Sequence, residues 1–458
     1  MTRPALIGLS VSLLASCSEA PLLDLKVVTP EGPDPLATAD RLRLSVSQPA
    51  AEQVISVANP QSFSVELKLA VQSDVGTITL EAFNGQRLVA RGETPPLVLR
   101  PAPRELSLLV GLAGVLSTLR PRLDGIARDP VSVLAPSLGV LLAGGRGSAG
   151  QALDVAWLYD FFTHAAARAP TLSTPRAGAV GAACGQTCAL LALGGNDKEL
   201  ATEVLRFDGQ TWSAIADNLA PGERRRDAAI APLDDGRYLV VGGRDAAGAA
   251  LDTVLHLEPG TLQLDPSFEV PQARAKAARV RPALAAASGA VLVVGGHEAG
   301  APPAELYAVS SATFSTLTLP GPILAGGCAA VALADGRLAV VGGRDDTGAL
   351  LRDAWIVDVT TRGVTAVPGA LLEGRAGHHL VRLGEQLVVV GGSTESGAAT
   401  QLEVLDGKTL ARLAVAPAPT PRLGSVVAQL GPGSFVVAGG DGAAASVIEL
   451  YETSQLAK

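Results

Sequence analysis

Short apolar runs that end on a pair of glycines recur along most of this chain. They read VLLAGGRG (140–147), LLALGGND (190–197), YLVVGGRD (238–245), VLVVGGHE (291–298), LAVVGGRD (338–345), QLVVVGGS (386–393) and FVVAGGDG (435–442). Their first glycines are Gly144, Gly194, Gly242, Gly295, Gly342, Gly391 and Gly439, spaced by 50, 48, 53, 47, 49 and 48 residues. A near-constant period of that length predicts an array of one supersecondary unit, stacked or radial. The runs are apolar at consecutive positions, which suits strands covered on both faces. Asp234-Asp235-Gly236 and Asp335-Gly336 place turn residues between two such runs and predict hairpins inside the units. A strand that ends against a crowded neighbour needs a residue without Cβ, for close backbone approach and for the dihedrals that turn the chain away.

Upstream the period changes to two. LDLKVV (23–28), RLRLSVS (41–47), FSVELKL (63–69), GTITLEAF (76–83), RLVARGE (87–93) and ELSLLVGL (105–112) largely alternate apolar and polar residues, the pattern of half-buried strands. Asn84-Gly85 between two of them is a hairpin signal, because a two-residue turn asks for positive φ at both positions. This many short strands within 18–112 predicts a small β-sandwich of immunoglobulin-like shape, although no Cys-Trp-Cys pattern is present. Such a module would space the repeat array from an attachment point, or bind a ligand itself.

The repeat region, 113–458, resembles the kelch family, whose unit is one four-stranded blade of a β-propeller. Besides the glycine pairs, an arginine precedes six of the seven at nearly constant distance. Arg128, Arg176, Arg226, Arg279, Arg375 and Arg422 lie 16, 18, 16, 16, 16 and 17 residues before the first glycine, and Gly326 stands there in the fifth repeat. Arg375-Ala376-Gly377-His378 also matches the family's arginine followed three positions later by histidine. A further strand follows most pairs, as in LDVAWLYD (153–160), TEVLRFD (202–208), AWIVDV (354–359) and QLEVLD (401–406). The expected fold class is therefore all-β: a seven-bladed kelch-like β-propeller preceded by the small immunoglobulin-like β-sandwich. The last repeat runs out of chain before its outer strand, and the equivalent offset ahead of Arg128 falls at about 113–117. Segment 113–118 is thus expected to complete the seventh blade, closing the ring from both chain ends and removing open sheet edges.

Composition narrows the function classes. Charged residues make up 17% and hydrophobic residues 48% of 458, the balance of a packed globular chain. The net charge of -8 offers no footprint for nucleic acid, and 3% aromatics leave little for stacking on sugars or bases. Arg3, an apolar stretch over 5–15 too short to span a bilayer, and Leu14-Ala15-Ser16-Cys17 resemble the signal peptide and lipobox of bacterial lipoproteins, covering 1–17. That resemblance implies cleavage before Cys17, lipidation of its thiolate and, with Ser18 beside it, sorting to the outer membrane, on its periplasmic or its surface face. An ordinary cleaved signal with an incidental cysteine is the other reading. Cys184 and Cys188 flank Gly-Gln-Thr at a hairpin tip, where a disulfide is sterically feasible and suits an oxidising compartment; two free thiols or half a metal site are the alternatives. Cys328 has no evident partner and is expected to be a small core residue.

The arginines are the sharpest chemical candidates. The kelch resemblance implies that Arg128, Arg176, Arg226, Arg279, Arg375 and Arg422 ring one mouth of a central channel, with His378 beside them. Guanidinium forks there would suit a carboxylate or phosphate. The competing reading pairs each arginine with an acid in the loop after a glycine pair: Asp197, Asp245, Glu298, Asp345 or Asp441. Of the histidines, His378 and His379 are adjacent on a strand, point to opposite faces and cannot both hold one metal; no metal or other cofactor is expected. Some kelch propellers are copper oxidases with a tyrosine radical. Here there are four tyrosines, Tyr159, Tyr238, Tyr307 and Tyr451, none evidently paired with a cysteine, so a galactose-oxidase-like or other propeller enzyme is the alternative. Asp208-Gly209-Gln210-Thr211-Trp212 is similar to the Asp-box of sialidases, but lacks its leading Ser and occurs once. The expected function is binding or scaffolding, by a lipid-anchored envelope protein whose propeller loops hold another protein or an acidic ligand.

Overall fold

The computed structural model describes residues 7–12, 22–48, 50–56, 75–98, 105–124, 128–196, 198–216, 219–264, 274–297, 301–418 and 420–455. Cys17 and the FSVELKL segment lie outside them. The described chain is all-β, with one short 3-10 segment at Gly442–Ser446.

Two larger sheets come first, with a two-stranded one, Val75–Gly76 with Leu97–Val98, beside them in sequence. One is three-stranded, with Leu22–Val28 between Ile7–Ser12 and Glu105–Leu109, the last pairing parallel to it. Ile7–Ser12 falls within the stretch read above as the apolar part of an export signal. The other is five-stranded, in the order Gly111–Leu112, Arg87–Glu93, Ile78–Asn84, Arg41–Ser47, Ala50–Ser56. Arg41–Ser47 follows its alternation: Leu42, Leu44 and Val46 are buried, while Arg41 and Arg43 sit over the Phe83 ring. The Asn84-Gly85 hairpin forms one residue later than expected. Asn84 still pairs with Arg87, so the turn is Gly85-Gln86, and of the two expected residues only Gly85 has positive φ, at 60°. Ala50–Ser56, missed in the sequence, pairs along the whole of Arg41–Ser47.

Seven four-stranded antiparallel sheets follow among the described residues, an architecture compatible with a propeller. Their first strands are Val131–Ala135, Val180–Ala183, Ala229–Pro232, Ala283–Ala287, Ala329–Ala332, His379–Leu383 and Ser425–Gln429. First strands of most neighbouring sheets pack on one another, and Val131–Ala135 also packs on Ser425–Gln429, which brings the first sheet against the seventh. Second strands such as Ala290–Val294 and Leu338–Val341 are the continuous apolar runs, buried almost throughout. The fourth strands face outward, as Arg412–Pro417 shows with five of its six residues exposed. The seventh sheet takes its outer strand from far upstream: Leu116–Arg122 pairs with Val447–Glu452, with Leu116 opposite Tyr451.

The N-terminal sheets are welded to the repeat sheets by a common core. Leu42, Leu80 and Leu108 belong to one buried cluster with Val140, Tyr159, Phe161, Phe162 and Leu450. A charged knot lies within the same junction. Arg91 Nη1 donates to Glu93 Oε2 and to Glu452 Oε2, each at 3.0 Å, and Gly433 N donates to Glu93 Oε2 at 2.9 Å. All three charged side chains are buried, so one guanidinium serves two carboxylates out of water.

Two outcomes are expected. Gly236 has φ 87° in open space, whereas a Cβ on Gly242 would stand 2.3 Å from the Arg279 carbonyl oxygen. Gly236→Ala should cost about 1 kcal/mol of stability and Gly242→Ala several times more, read from thermal unfolding midpoints. At the junction, burial and then the like charge of Glu93 push the Glu452 carboxyl well above its usual range, with Arg91 only partly offsetting them. A carboxyl whose folded pKa exceeds its unfolded value binds more protons when folded. Its contribution to stability is therefore full below the unfolded pKa of 4.5 and is lost as pH rises from there. Glu452→Gln removes this loss, so the midpoint of the variant relative to the parent should climb between about pH 4.5 and pH 7; an offset that stays constant would contradict the shared-guanidinium arrangement.

Candidate functional site

Five of the seven repeats begin with an arginine whose side chain turns back into its own sheet just before the first strand. Arg176, Arg225, Arg279, Arg375 and Arg422 hold that position and are at most 3% exposed. Arg375 Nη1 donates to the carbonyls of Gly391 at 3.4 Å and Gln401 at 3.1 Å, while its Nη2 donates to Glu403 Oε1 at 2.7 Å. Arg279 repeats this with Gly295 O at 2.8 Å, Pro302 O at 2.7 Å and Glu305 Oε2 at 2.7 Å. Arg422 does so with Gly439 O, Val447 O and Glu449, and Arg176 with Leu193 O and Glu203. The second carboxylate oxygen is also used: Glu305 Oε1 accepts Lys276 N and Glu403 Oε2 accepts Leu372 N, each at 2.6 Å. Arg279, Arg375 and Arg422 thus clamp the glycine pair of their sheets to the third strand, and Arg176 does the same through Leu193, the residue before the pair.

This corrects two expectations. Arg176, Arg279, Arg375 and Arg422 are structural braces sealed from solvent, not a ring offered to a ligand. Their partners are glutamates at or just before the third strand, rather than loop acids. Asp245 and Asp345 instead accept from Ala249 N and Ala349 N within their own loops, Asp441 accepts from Leu423 N, and Asp197 and Glu298 lie outside the described residues. Burial lowers the pKa of Arg375 and Arg422, with the paired glutamates opposing the shift. In the third repeat the brace is Arg225, not Arg226. It donates only to carbonyls, including Gly242 O at 3.3 Å and Thr253 O at 3.1 Å, and burial brings its pKa down to about 10.

A substitution pattern within the chain explains the repeats that lack the brace. The third-strand residue facing the position two before the first glycine is Glu305, Glu403 and Glu449 in the fourth, sixth and seventh sheets, and Leu255 in the third, whose brace Arg225 has no carboxylate partner. It is Trp157 in the first sheet and Trp355 in the fifth. Their indole N–H groups donate to Asp124 O at 3.1 Å and Pro320 O at 2.8 Å. In the fifth sheet Ala325 stands where the arginine would, its carbonyl accepting from Gly296 N at 2.7 Å. A tryptophan and an ion pair therefore occupy equivalent positions, and each sends a side-chain N–H to a backbone carbonyl.

Arg128 and Arg226 are one residue further along, where the chain crosses to the loop after the glycine pair; they bridge Arg146 and Arg244 through the backbone. The next residue in each repeat has φ between 48° and 68°: Asp129, Gly178, Asp227, Arg281, Gly327, Gly377 and Gly424. These residues face each other around one mouth, as Asp129 N donates to Gly424 O at 2.7 Å, Arg281 N to Asp227 O at 2.8 Å and Gly377 N to Gly327 O at 2.7 Å. Four repeats meet this left-handed conformation with glycine, while three place charged side chains in it at a cost of about 1 kcal/mol each. Arg281 Nε donates to Asp227 Oδ1 at 2.8 Å and its Nη1 to Asp129 Oδ2 at 3.0 Å, linking three repeats across the mouth.

Around this cluster stand three arginines that the sequence reading passed over, Arg146, Arg244 and Arg344, each directly after a glycine pair. They donate to Gly150 O, Gly248 O and Gly348 O, bracing their own loops, and Arg344 also reaches Ser393 Oγ at 3.1 Å. The signal was present as the repeated Gly-Gly-Arg triplet. Beyond the mouth, Leu284, Cys328, Ala330, His379, Leu380 and Val427 line about 370 Å³ of open space between the first strands of the fourth to seventh sheets. His379 meets Ser425 O at 2.7 Å. His378 packs between the glycine pairs of two sheets, with Gly342 and Gly392 each leaving it room that a Cβ would fill. Burial lowers its pKa to about 3, so its ring is neutral. Cys184 and Cys188 are disulfide-bonded with Cα atoms 5.1 Å apart. Cys328 is half-buried at the cavity wall, its thiol pushed up to about 12 by burial. No group of three or more potential metal ligands occurs among the described residues.

Arg375→Ala is expected to cost about 3–5 kcal/mol because it strands the Glu403 carboxylate in the interior. Arg344→Ala, at an exposed brace, should stay within about 1 kcal/mol. The double replacement Arg375→Leu with Glu403→Leu should recover much of the loss, which thermal unfolding of the three variants would show. No protein-family model matches the chain, and no curated protein matches it in sequence.

Proposed function

We propose that the seven four-stranded sheets are the blades of a seven-bladed kelch-type β-propeller, carried on an immunoglobulin-like sandwich made of the two N-terminal sheets. On this reading Cys17 is lipidated and holds the protein at the outer membrane, and the propeller acts as a binding or scaffold platform. The observation that carries the binding role is the charged mouth. Asp129, Asp227 and Arg281 occupy backbone positions that glycine fills at lower cost in the other repeats, and such local expense collects at functional surfaces. The surrounding arginines supply forked donors for carboxylates or phosphates of a partner protein or acidic ligand. Asp129 and Asp227 are committed to Arg281, which leaves the outer guanidiniums to define what the mouth attracts.

Two measurements test this. Cells fed an alkyne-bearing palmitate should label the parent protein and not Cys17→Ser; equal labelling removes the anchor. A photo-crosslinking residue at position 128 or 344 in intact cells should capture one defined partner. The same residue at position 413, on an outer strand, should capture none, and capture from 413 alone would place the binding surface away from the mouth.

A further inference from the structure

A pocket of about 660 Å³ opens where the five-stranded N-terminal sheet meets the hairpins that join the first two strands of the sixth and seventh repeat sheets, away from the mouth. One row of side chains crosses the sheet into it. Glu52 lies opposite Ser45, Ser45 opposite Thr79 and Thr79 opposite Glu93. Four neighbouring strands therefore set a carboxylate, two hydroxyls and a carboxylate side by side on one face, and all four residues line the pocket. Leu42, Leu44 and Leu80, on the other face, are in the core.

The row is left unsatisfied by the protein itself. Next to it the hydroxyls of Ser47 and Thr77 bond each other at 3.2 Å. Neither the Ser45 nor the Thr79 hydroxyl has a hydrogen-bond partner among the described residues, although Thr79 is only 4% exposed and opens into the pocket. Glu52, exposed on the edge strand, has no ion pair among the described residues. Glu93 closes the row and is nearly sealed; it shares the guanidinium of Arg91 with Glu452, so charge at that end stays unbalanced. The lining thus sets three acids, Glu52, Glu93 and Glu385, against one arginine that two carboxylates already use. A buried hydroxyl without a partner favours a ligand that bonds to it, and unbalanced negative charge beside a low-dielectric wall selects a cation.

We propose that this pocket binds a linear polyamine laid across the strands along the row. Glu52 takes a terminal ammonium, the hydroxyls of Ser45 and Thr79 accept from an internal secondary ammonium, and the other terminal ammonium lies in the field of Glu93. Methylenes between the nitrogens rest against Ala50 and Pro432, both exposed at the pocket wall. The row covers three interstrand steps, about 14 Å, which suits a triamine and exceeds a short diamine.

Isothermal titration of the full chain with spermidine, in about 0.15 M salt, should show one site with a dissociation constant below about 1 mM. 1,8-Diaminooctane has the same length and terminal ammoniums but no internal nitrogen, and should bind about tenfold more weakly. Thr79→Val, which keeps the shape of the side chain, should erase the preference for spermidine while diaminooctane binds as before. Glu52→Gln, on the exposed edge strand, should weaken both amines about fivefold with an unchanged thermal midpoint. Glu199→Gln, at an exposed acid of the second repeat sheet, should alter neither. Equal affinity of the two amines for the parent, a preference that survives in Thr79→Val, unaltered binding by Glu52→Gln, or no binding of spermidine at millimolar concentration would each overturn the assignment.

Discussion

The N–H of a glycine donating to the carbonyl that opens the next sheet is the contact on which the rest of the repeat region depends. Gly145 reaches Arg176 O at 2.7 Å, Gly243 reaches Arg279 O and Gly343 reaches Arg375 O at 2.8 Å, and Gly296 reaches Ala325 O at 2.7 Å. The preceding glycine presses on the same carbonyl so closely that a Cβ at Gly144 or Gly242 would stand 2.3 Å from it. One backbone contact therefore fixes the distance between successive sheets, and side chains are excluded from it. The arginine that offers this carbonyl to the sheet behind sends its guanidinium forward into its own. Arg279 and Arg375 thus couple inter-sheet spacing to intra-sheet order within single residues.

Buried charge follows from that geometry. The carbonyls of Gly295, Gly391 and Gly439 end their strands inside the protein, and an arginine paired with a glutamate satisfies them while neutralising itself. Trp157 and Trp355 show the alternative, a large apolar side chain whose one donor finds a loop carbonyl. The same economy appears at the domain junction, where Arg91 faces Glu93 and Glu452. There two carboxylates share one cation, so the balance is left incomplete and proton binding enters the stability of the interface.

With the brace arginines consumed by packing, the remaining arginines stand one residue along, on the crossing segments, and directly after the glycine pairs. Asp129, Asp227 and Arg281 span the mouth where Gly327, Gly377 and Gly424 leave the other side bare. The mouth is therefore asymmetric, and the open space behind it lies between the first strands of the fourth to seventh sheets.

How much of this was legible depends on the range of the interaction. The apolar runs, the glycine pairs and the hairpin at Gly236 are local signals, and they located the second strands and turns directly in the sequence. The arginine spacing of 16 to 18 residues was visible as well, but insertions before the first strands hid its register. Arg128 and Arg226 therefore share the spacing of four residues with a different role, while Arg225, which in a short run of charge reads as part of a solvated loop, is the buried brace. The glutamate partners could not be read because register across a sheet is set by pairing between strands, not by distance along the chain. By itself the sequence determined the repeat and its all-β character, since period and strand burial are written residue by residue. Only the tertiary structure decided which charges are buried and which face solvent, because a one-residue shift at a strand end moves a guanidinium from the core to the mouth.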